Sequence, residues 1–170
     1  MICIGIDPGT TGAIALNING AIEVCDLPIK RTLLKTKTKK GHKKTEGRLD
    51  YEEFRKILKM FSIDSADIIV FEKVHSMPGN SPSTSFTFGR IVGALEGVLT
   101  GATDTEITYV TPQAWKKYFN LTGKEKVAAA MDCRDRYPGQ AEPFLKTKDG
   151  RADAALLAEY GRFLLTKRAP

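Results

Sequence analysis

Along the first thirty residues, apolar side chains come in short runs broken by turn chemistry. Residues 2–6 form an apolar run that closes on Asp7-Pro8-Gly9-Thr10-Thr11-Gly12, a tight turn. Ala13-Ile14-Ala15-Leu16 resumes an extended segment, Asn19-Gly20 supplies a hairpin turn, and residues 21–27 read as a third strand. Past residue 50 the period lengthens. Asp50 stands as an N-cap with Glu53 three positions on, and Phe54, Ile57, Leu58 and Phe61 share one helical face. Ile68-Ile69-Val70-Phe71 is a buried strand that ends on Glu72. A Gly/Pro/Ser-rich loop over 75–85 leads into a helix over about 86–99, with Phe88, Ile91, Val92, Leu95, Val98 and Leu99 as its stripe. Residues 106–110 form another strand, and Thr111 caps a helix with Pro112 at its first position. Thr122-Gly123-Lys124-Glu125 opens the next helix, which stops at Tyr137-Pro138-Gly139, and a final helix covers about 151–165. Strands grouped early and helices alternating later predict a mixed α/β domain.

At 170 residues the chain has room for one compact domain, spanning 1–170. A mean hydropathy of -0.23 with 27% charged residues describes a folded rather than a disordered chain. No stretch approaches the roughly 20 apolar residues that span a bilayer. The opening Met1-Ile2-Cys3-Ile4 has no basic lead, so no signal peptide is expected. Cys3, Cys25 and Cys133 are an odd number without metal-site spacing, which fits a reducing cytoplasm.

Charge changes the picture more. The chain carries +6 overall, but residues 30–48 hold Lys30, Arg31, Lys35, Lys37, Lys39, Lys40, Lys43, Lys44 and Arg48 against Glu46 alone. That window is +8, and the other 151 residues sum to -2. One concentrated cationic segment on a nearly neutral body is a footprint for a polyanion. Its length and polarity predict a surface excursion at about 30–48, with an extended pair inside it, mobile until it meets its partner. Gly89, Gly93 and Gly97 recur every fourth residue in one helix, each costing about 1 kcal/mol relative to alanine. They predict a backbone approached closely, by packing within the chain in the ordinary reading or by a second subunit in the other.

Four carboxylates stand out. Asp7 and Glu72 each finish an apolar strand, where a carboxylate is costly unless paired or bound to a cation. Asp149 and Asp153 lie four apart and share a face if the last helix begins near Asp149; like charges there repel unless neutralised. Mg²⁺ meets this need, since it takes one or two carboxylates per ion and leaves the rest of its shell to water and phosphate. His42 and His75 are the only histidines, and the cysteines are scattered, so zinc chemistry is not expected. Blander readings stand beside each acid: a turn residue for Asp7, a lysine partner for Glu72, a helix cap for Asp149, and an ion pair with Arg151 or Lys148 for Asp153.

Ile4-Gly5-Ile6-Asp7-Pro8-Gly9-Thr10-Thr11-Gly12 is similar to the opening motif of the RuvC-type Holliday junction resolvases, of the ribonuclease H-like superfamily. The resemblance continues through Val70-Phe71-Glu72-Lys73, Phe88-Gly89-Arg90-Ile91-Val92-Gly93, Val110-Thr111-Pro112-Gln113-Ala114-Trp115-Lys116 and Lys146-Thr147-Lys148-Asp149-Gly150-Arg151-Ala152-Asp153-Ala154. The motifs run in the family's order over nearly the whole chain, and the variant looks closest to the RuvC-like proteins of bacteriophages. The resemblance implies a ribonuclease H-like fold, a mixed central β-sheet flanked by α-helices. It also implies a homodimer that nicks opposing strands of a four-way DNA junction, leaving 5′-phosphate and 3′-hydroxyl ends. Each subunit would hold two Mg²⁺, with Mn²⁺ as a substitute, on Asp7, Glu72, Asp149 and Asp153. Asp149 is the looser match, because the family often spaces this pair three apart. Lys124, at the mouth of a helix, would serve a phosphate near the cut, where helix amides help. Lys116, Lys117 and Lys126 would contact DNA backbone. His75 stands where bacterial relatives carry a stacking aromatic, so junction opening would lean on Phe86, Phe88 or the basic window.

Three rivals remain at this level. An actin-like or sugar-kinase ATPase shares the Asp-x-Gly-Thr loop but needs two domains around a nucleotide, and no nucleotide cofactor is expected here. A nuclease of the same fold acting on RNA–DNA hybrids, flaps or branched DNA is the broader alternative. A junction-binding protein without catalysis is the third, and it leaves the four carboxylates without a purpose.

Overall fold

A computed structural model describes residues 1–37, 41, 43–76, 79–125, 127–140, 142–144 and 149–168, with the backbone alone for residues 36, 37, 44, 142, 149 and 168. The elements run β1 (Ile2–Asp7), β2 (Ala13–Ile18), β3 (Ala21–Asp26), β4 (Ile29–Lys37), β5 (Lys43–Leu49), α1 (Tyr51–Met60), β6 (Ile68–Glu72), α2 (Pro82–Thr100), β7 (Ile107–Val110), α3 (Pro112–Tyr118), α4 (Val127–Arg136) and α5 (Asp149–Arg168). Five strands make a sheet in the order β3-β2-β1-β6-β7. The β1–β2 and β2–β3 pairs are antiparallel, and β1–β6 and β6–β7 are parallel. The expected mixed sheet between helices is present. No described helix is long and apolar enough to cross a membrane.

Strand alternation divides the core in two. Ile4 and Ile6 of β1, with Ile69 and Phe71 of β6, face α1 and α2 and meet Phe54, Leu58, Ile91, Leu95 and Leu99. Cys3, Ile68 and Val70 face the other way, against α3, α4 and α5, where Trp115, Cys133, Ala154, Ala155 and Ala158 are buried. Burial pushes the Cys3 thiol up to about 11. At Gly5 the α5 backbone comes so near that an added Cβ would stand 2.2 Å from the Ala154 carbonyl oxygen and 2.3 Å from the Ala158 nitrogen. Helix and strand therefore touch backbone to backbone. Gly5→Ala is expected to lower stability by about 1–3 kcal/mol, read as a lower urea midpoint at unchanged m-value.

The Asn19-Gly20 turn joins β2 to β3 with both residues at positive φ, 51° and 99°, as the dipeptide predicts. Asp50 caps α1 by accepting from the Glu53 amide. Three boundaries differ from expectation. The helix expected from about 86 begins at Pro82, because Ser81 accepts from the Thr84 amide and Pro82 takes the first position. The helix expected from Thr122 begins at Val127, since Asn120 and Gly123 both sit at positive φ and hold a turn. The last helix begins at Asp149, which puts Asp149 and Asp153 one turn apart. The glycine stripe of α2 also departs from its ordinary reading. A Cβ at Gly89, Gly93 or Gly97 would meet nothing within 4 Å, so no other part of the described chain packs there.

The basic window forms its own antiparallel hairpin, β4 with β5, with Ile29 opposite Leu49 and Lys37 opposite Lys43. Its base is less polar than the composition implies: Leu49 is buried and Ile29 half-buried in the α1–α2 side of the core.

Candidate active site

Two of the four acids are placed by one sheet register. β1 and β6 are parallel neighbours, with Ile6 opposite Phe71, so Asp7 and Glu72 leave the sheet side by side at the ends of their strands. In open α/β sheets that end is where crevices form. The 9–12 turn folds over Asp7, the Gly12 amide donating to the Gly9 carbonyl at 3.4 Å.

α5 brings the third acid. Its Gly150 packs so tightly that a Cβ there would lie 2.4 Å from the Thr11 carbonyl oxygen and 2.9 Å from Asp7 Oδ2. The first turn of α5 thus abuts both the Asp7 carboxylate and the turn above it, and Asp153 follows on the same helix. Arg151 points elsewhere with two bonds, to Asp26 Oδ1 and Oδ2 at 2.6 and 2.9 Å, which ties α5 to β3. Asp7, Thr10, Thr11, Glu72, His75, Phe88, Gly150 and Asp153 line one cleft of about 360 Å³. A smaller hollow of about 190 Å³ is lined by Lys116, Lys124 and Asp153, so both lysines share a hollow with the α5 acid of the cleft. Another hollow, about 710 Å³ between the ends of α1 and α2, contains none of these residues.

Glu72 is held by both burial and a hydrogen bond. It is buried, and its Oε1 accepts from the indole Nε1 of Trp115 at 2.9 Å. Burial pushes its carboxyl above the usual carboxylate range, and the Trp115 bond and the nearby Lys116 charge work the other way. Its hydrogen-bond partner is therefore an indole rather than a lysine. The pairing follows from the fold: Glu72 sits opposite Val110 at the end of β7, and the chain turns straight into α3. Thr111 caps that helix, accepting from the Ala114 amide, and Trp115 swings back fully buried beneath the sheet's edge. Trp115 was noted in the sequence as a motif residue only; the signal for its role was a tryptophan just past the strand that pairs with Glu72. Trp115→Phe takes away the indole N–H that orients the Glu72 carboxylate.

Among the described residues no three His, Cys, Asp or Glu side chains already gather as a metal-holding group. The Asp149 side chain lies outside the described residues, and its backbone opens α5. The cleft offers three carboxylates spread along its wall, that of Glu72 buried, beside the hydroxyls of Thr10 and Thr11 and one imidazole, His75. This suits a hard ion that takes one or two carboxylates and completes its shell with water and phosphate.

The proposed DNA contacts divide. Lys117 and Lys124 are exposed, and Lys116 is half-buried with its ammonium over the Trp115 ring at 5.1 Å. His75 is exposed at the cleft, Phe88 lines it, and Phe86 is 65% exposed on α2. In the hairpin, Lys35 and Lys43 are exposed. Three other cations there already have protein partners. Lys30 pairs with Asp50 at 2.7 Å, Arg48 with Glu46 at 3.4 Å, and Arg31 donates to the Thr10 carbonyl at 3.4 Å. Lys39, Lys40 and Lys126, and the side chains of Lys37 and Lys44, lie outside the described residues.

No family model matches this sequence, and no curated protein matches it either. The solved structures do. A Thermus thermophilus RuvC structure is similar at 16% identity, covering 96% of each chain with a TM-score of 0.59. T. thermophilus RuvC in complex with a Holliday junction substrate is similar at 15% identity, with a TM-score of 0.53, over 98% of this chain and 96% of that one. The chain therefore has the fold of a RuvC-type resolvase along essentially its whole length.

Proposed function

We propose that this chain, built on the RuvC fold, is a divalent-metal-dependent endodeoxyribonuclease that resolves four-way DNA junctions. The observation that carries the reading is the convergence of Asp7, Glu72 and Asp153 on one cleft, with Lys116 and Lys124 at its border. Asp7, Glu72 and Asp153, with Asp149 one helical turn before Asp153, are the residues to hold two Mg²⁺, Mn²⁺ serving in their place. Bound there, such ions supply an activated water and stabilise a leaving 3′ oxygen. The chain's own residues do the rest. Trp115 fixes Oε1 of Glu72 and leaves Oε2 as the oxygen available to a ligand. Lys124 and Lys116 neutralise the scissile phosphate and its neighbour, which orients the strand without reading its sequence. Thr10 and Thr11 offer hydroxyl and backbone groups along the cleft wall. The exposed lysines of α3 and the hairpin tip, Lys117, Lys35 and Lys43, extend the contact to phosphates farther along the DNA.

Symmetric cutting of opposing strands needs two clefts, so the reading includes a homodimer. The open glycine face of α2, with Gly89, Gly93 and Gly97, is the surface assigned to it. His75, exposed at the cleft where bacterial relatives of this fold family carry an aromatic, favours a second reading, a nuclease with broader taste for branched DNA.

A synthetic immobile junction with each strand end-labelled in turn tests both. Paired nicks on opposing strands that a ligase seals, dependent on Mg²⁺ or Mn²⁺ and lost in EDTA, are the result expected. Equal cutting of flaps and three-way forks selects the broader nuclease. Cutting confined to RNA in hybrids, or binding with no nicks under either metal, overturns the assignment.

A further inference from the structure

Glu46 is the exception in residues 30–48, one acid among nine basic residues. Its carboxylate is 24% exposed and accepts from Arg90 of α2 at 2.6 Å, 44 residues away in sequence. Arg90 holds the Glu46 carboxyl below the usual carboxylate range. The next residue, Gly47, is buried, and a Cβ there would lie 3.2 Å from Ile29 Cγ2, 3.5 Å from Thr10 Cγ2 and 3.7 Å from Ile91 Cδ1. Thr10 belongs to the turn that lines the cleft. Opposite Gly47, Arg31 donates to the carbonyl of that same Thr10. On the other face Lys30 holds the N-cap of α1, Asp50. The root of the hairpin is therefore fastened to three things at once: the cleft turn, α2 and α1. The tip carries exposed Lys35 and Lys43 in the same two strands.

We infer that the hairpin root is a docking joint, latched by the Glu46–Arg90 ion pair, which sets where a DNA arm held at the cationic tip lies relative to the cleft; this rests on the nuclease reading above. Glu46 and Arg90 are positioning residues. They touch no reacting atom and act through Thr10 and the hairpin. The strands give the device its length. Eight residue steps separate Ile29 from Lys37, a reach of roughly 25 Å at about 3.3 Å per residue. That equals about seven base-pair steps of duplex at about 3.4 Å each. The tip thus grips phosphates up to about seven base pairs from the cut, and a misplaced root carries the arm with it.

The test uses the full chain, a labelled four-way junction, and a series of junctions with arms trimmed one base pair at a time. Wild type is expected to cut at fixed phosphodiesters, and to lose rate when an arm falls below about seven base pairs. Glu46→Gln and Arg90→Gln are expected to keep junction affinity and its salt slope within twofold. Their kcat falls about 10- to 100-fold and their cuts spread over neighbouring phosphodiesters, the cost of an ångström-scale misplacement. The exchanged pair Glu46→Arg with Arg90→Glu keeps the overall charge and is expected to restore the cut positions, which loss of folding stability alone does not predict. If wild type cuts no branched DNA, the nuclease reading falls and this inference with it. If wild type cuts, and both single variants cut the same bonds at the same kcat with the same arm-length dependence, the inference alone is overturned.

Discussion

On the proposed nuclease reading, Asp7→Asn is expected to abolish strand cleavage, a loss of about 10³-fold or more, and to leave junction binding intact. The side chain keeps its shape and one acceptor oxygen but loses the charge that a hard cation requires. Removing several kcal/mol of transition-state stabilisation corresponds to a loss of that size. Position explains why the effect falls on chemistry alone. Asp7 ends β1 against Gly150 of α5, inside the cleft, whereas the exposed lysines assigned to the DNA backbone lie on α3, the α3–α4 turn and the hairpin. Electrophoretic mobility shifts in EDTA measure the binding, and end-labelled junctions in Mg²⁺ measure the cutting. A variant that still cuts within tenfold of wild type removes Asp7 from the active site.

Glu72→Gln is expected to give the second large effect, in two directions. On the proposed reading cleavage falls by a similar factor, while the metal-free fold is expected to become more stable. Burial raises the Glu72 carboxyl above its usual range, so the folded state holds this proton more tightly than the unfolded chain does. Stability tied to that group is complete below the unfolded carboxylate range, and is lost as pH rises through the elevated folded value. Above that folded value the wild type carries a buried charge that glutamine does not, and the amide oxygen still accepts from Trp115. The expected gain in EDTA is about 2–4 °C in melting temperature, the shift that ~1 kcal/mol makes at this chain length. It disappears at acid pH, where both states of the wild type are protonated. Added Mg²⁺ raises the wild type and not the variant. A variant that melts below wild type in EDTA at neutral pH refutes this account of Glu72.

Much of this was legible in the chain because the signals were local. An apolar run that stops on Asp7 before a Pro-Gly turn, and another that stops on Glu72, mark strand ends carrying a charge at the core's rim. Asn19-Gly20 and Asp50 with Glu53 announce a hairpin and a helix start by their own chemistry. The start of α2 is set by Ser81 and Pro82, and Pro82 lies six positions ahead of Phe88, the first residue of the apolar stripe, so periodicity places it too late. Other features depended on register. Trp115 reaches Glu72 only because β7 pairs parallel to β6, and Glu46 meets Arg90 only because the hairpin root packs on α2. No spacing within either segment carries that information. The glycine stripe was legible as a pattern, and its ordinary explanation fails because that face of α2 is turned outward.

The way α5 lies on β1 also bears on the order in which the cleft is assembled. Asp7 ends β1, but the helix that abuts it and supplies Asp153 follows more than 140 residues later in the chain. That helix also fills one side of the core, its Ala154, Leu156 and Ala158 fully buried. A nascent chain short of α5 thus lacks both a closed sheet face and a complete set of carboxylates. Domains generally fold as units. Loss of α5 therefore removes one face of the core and Asp153 together.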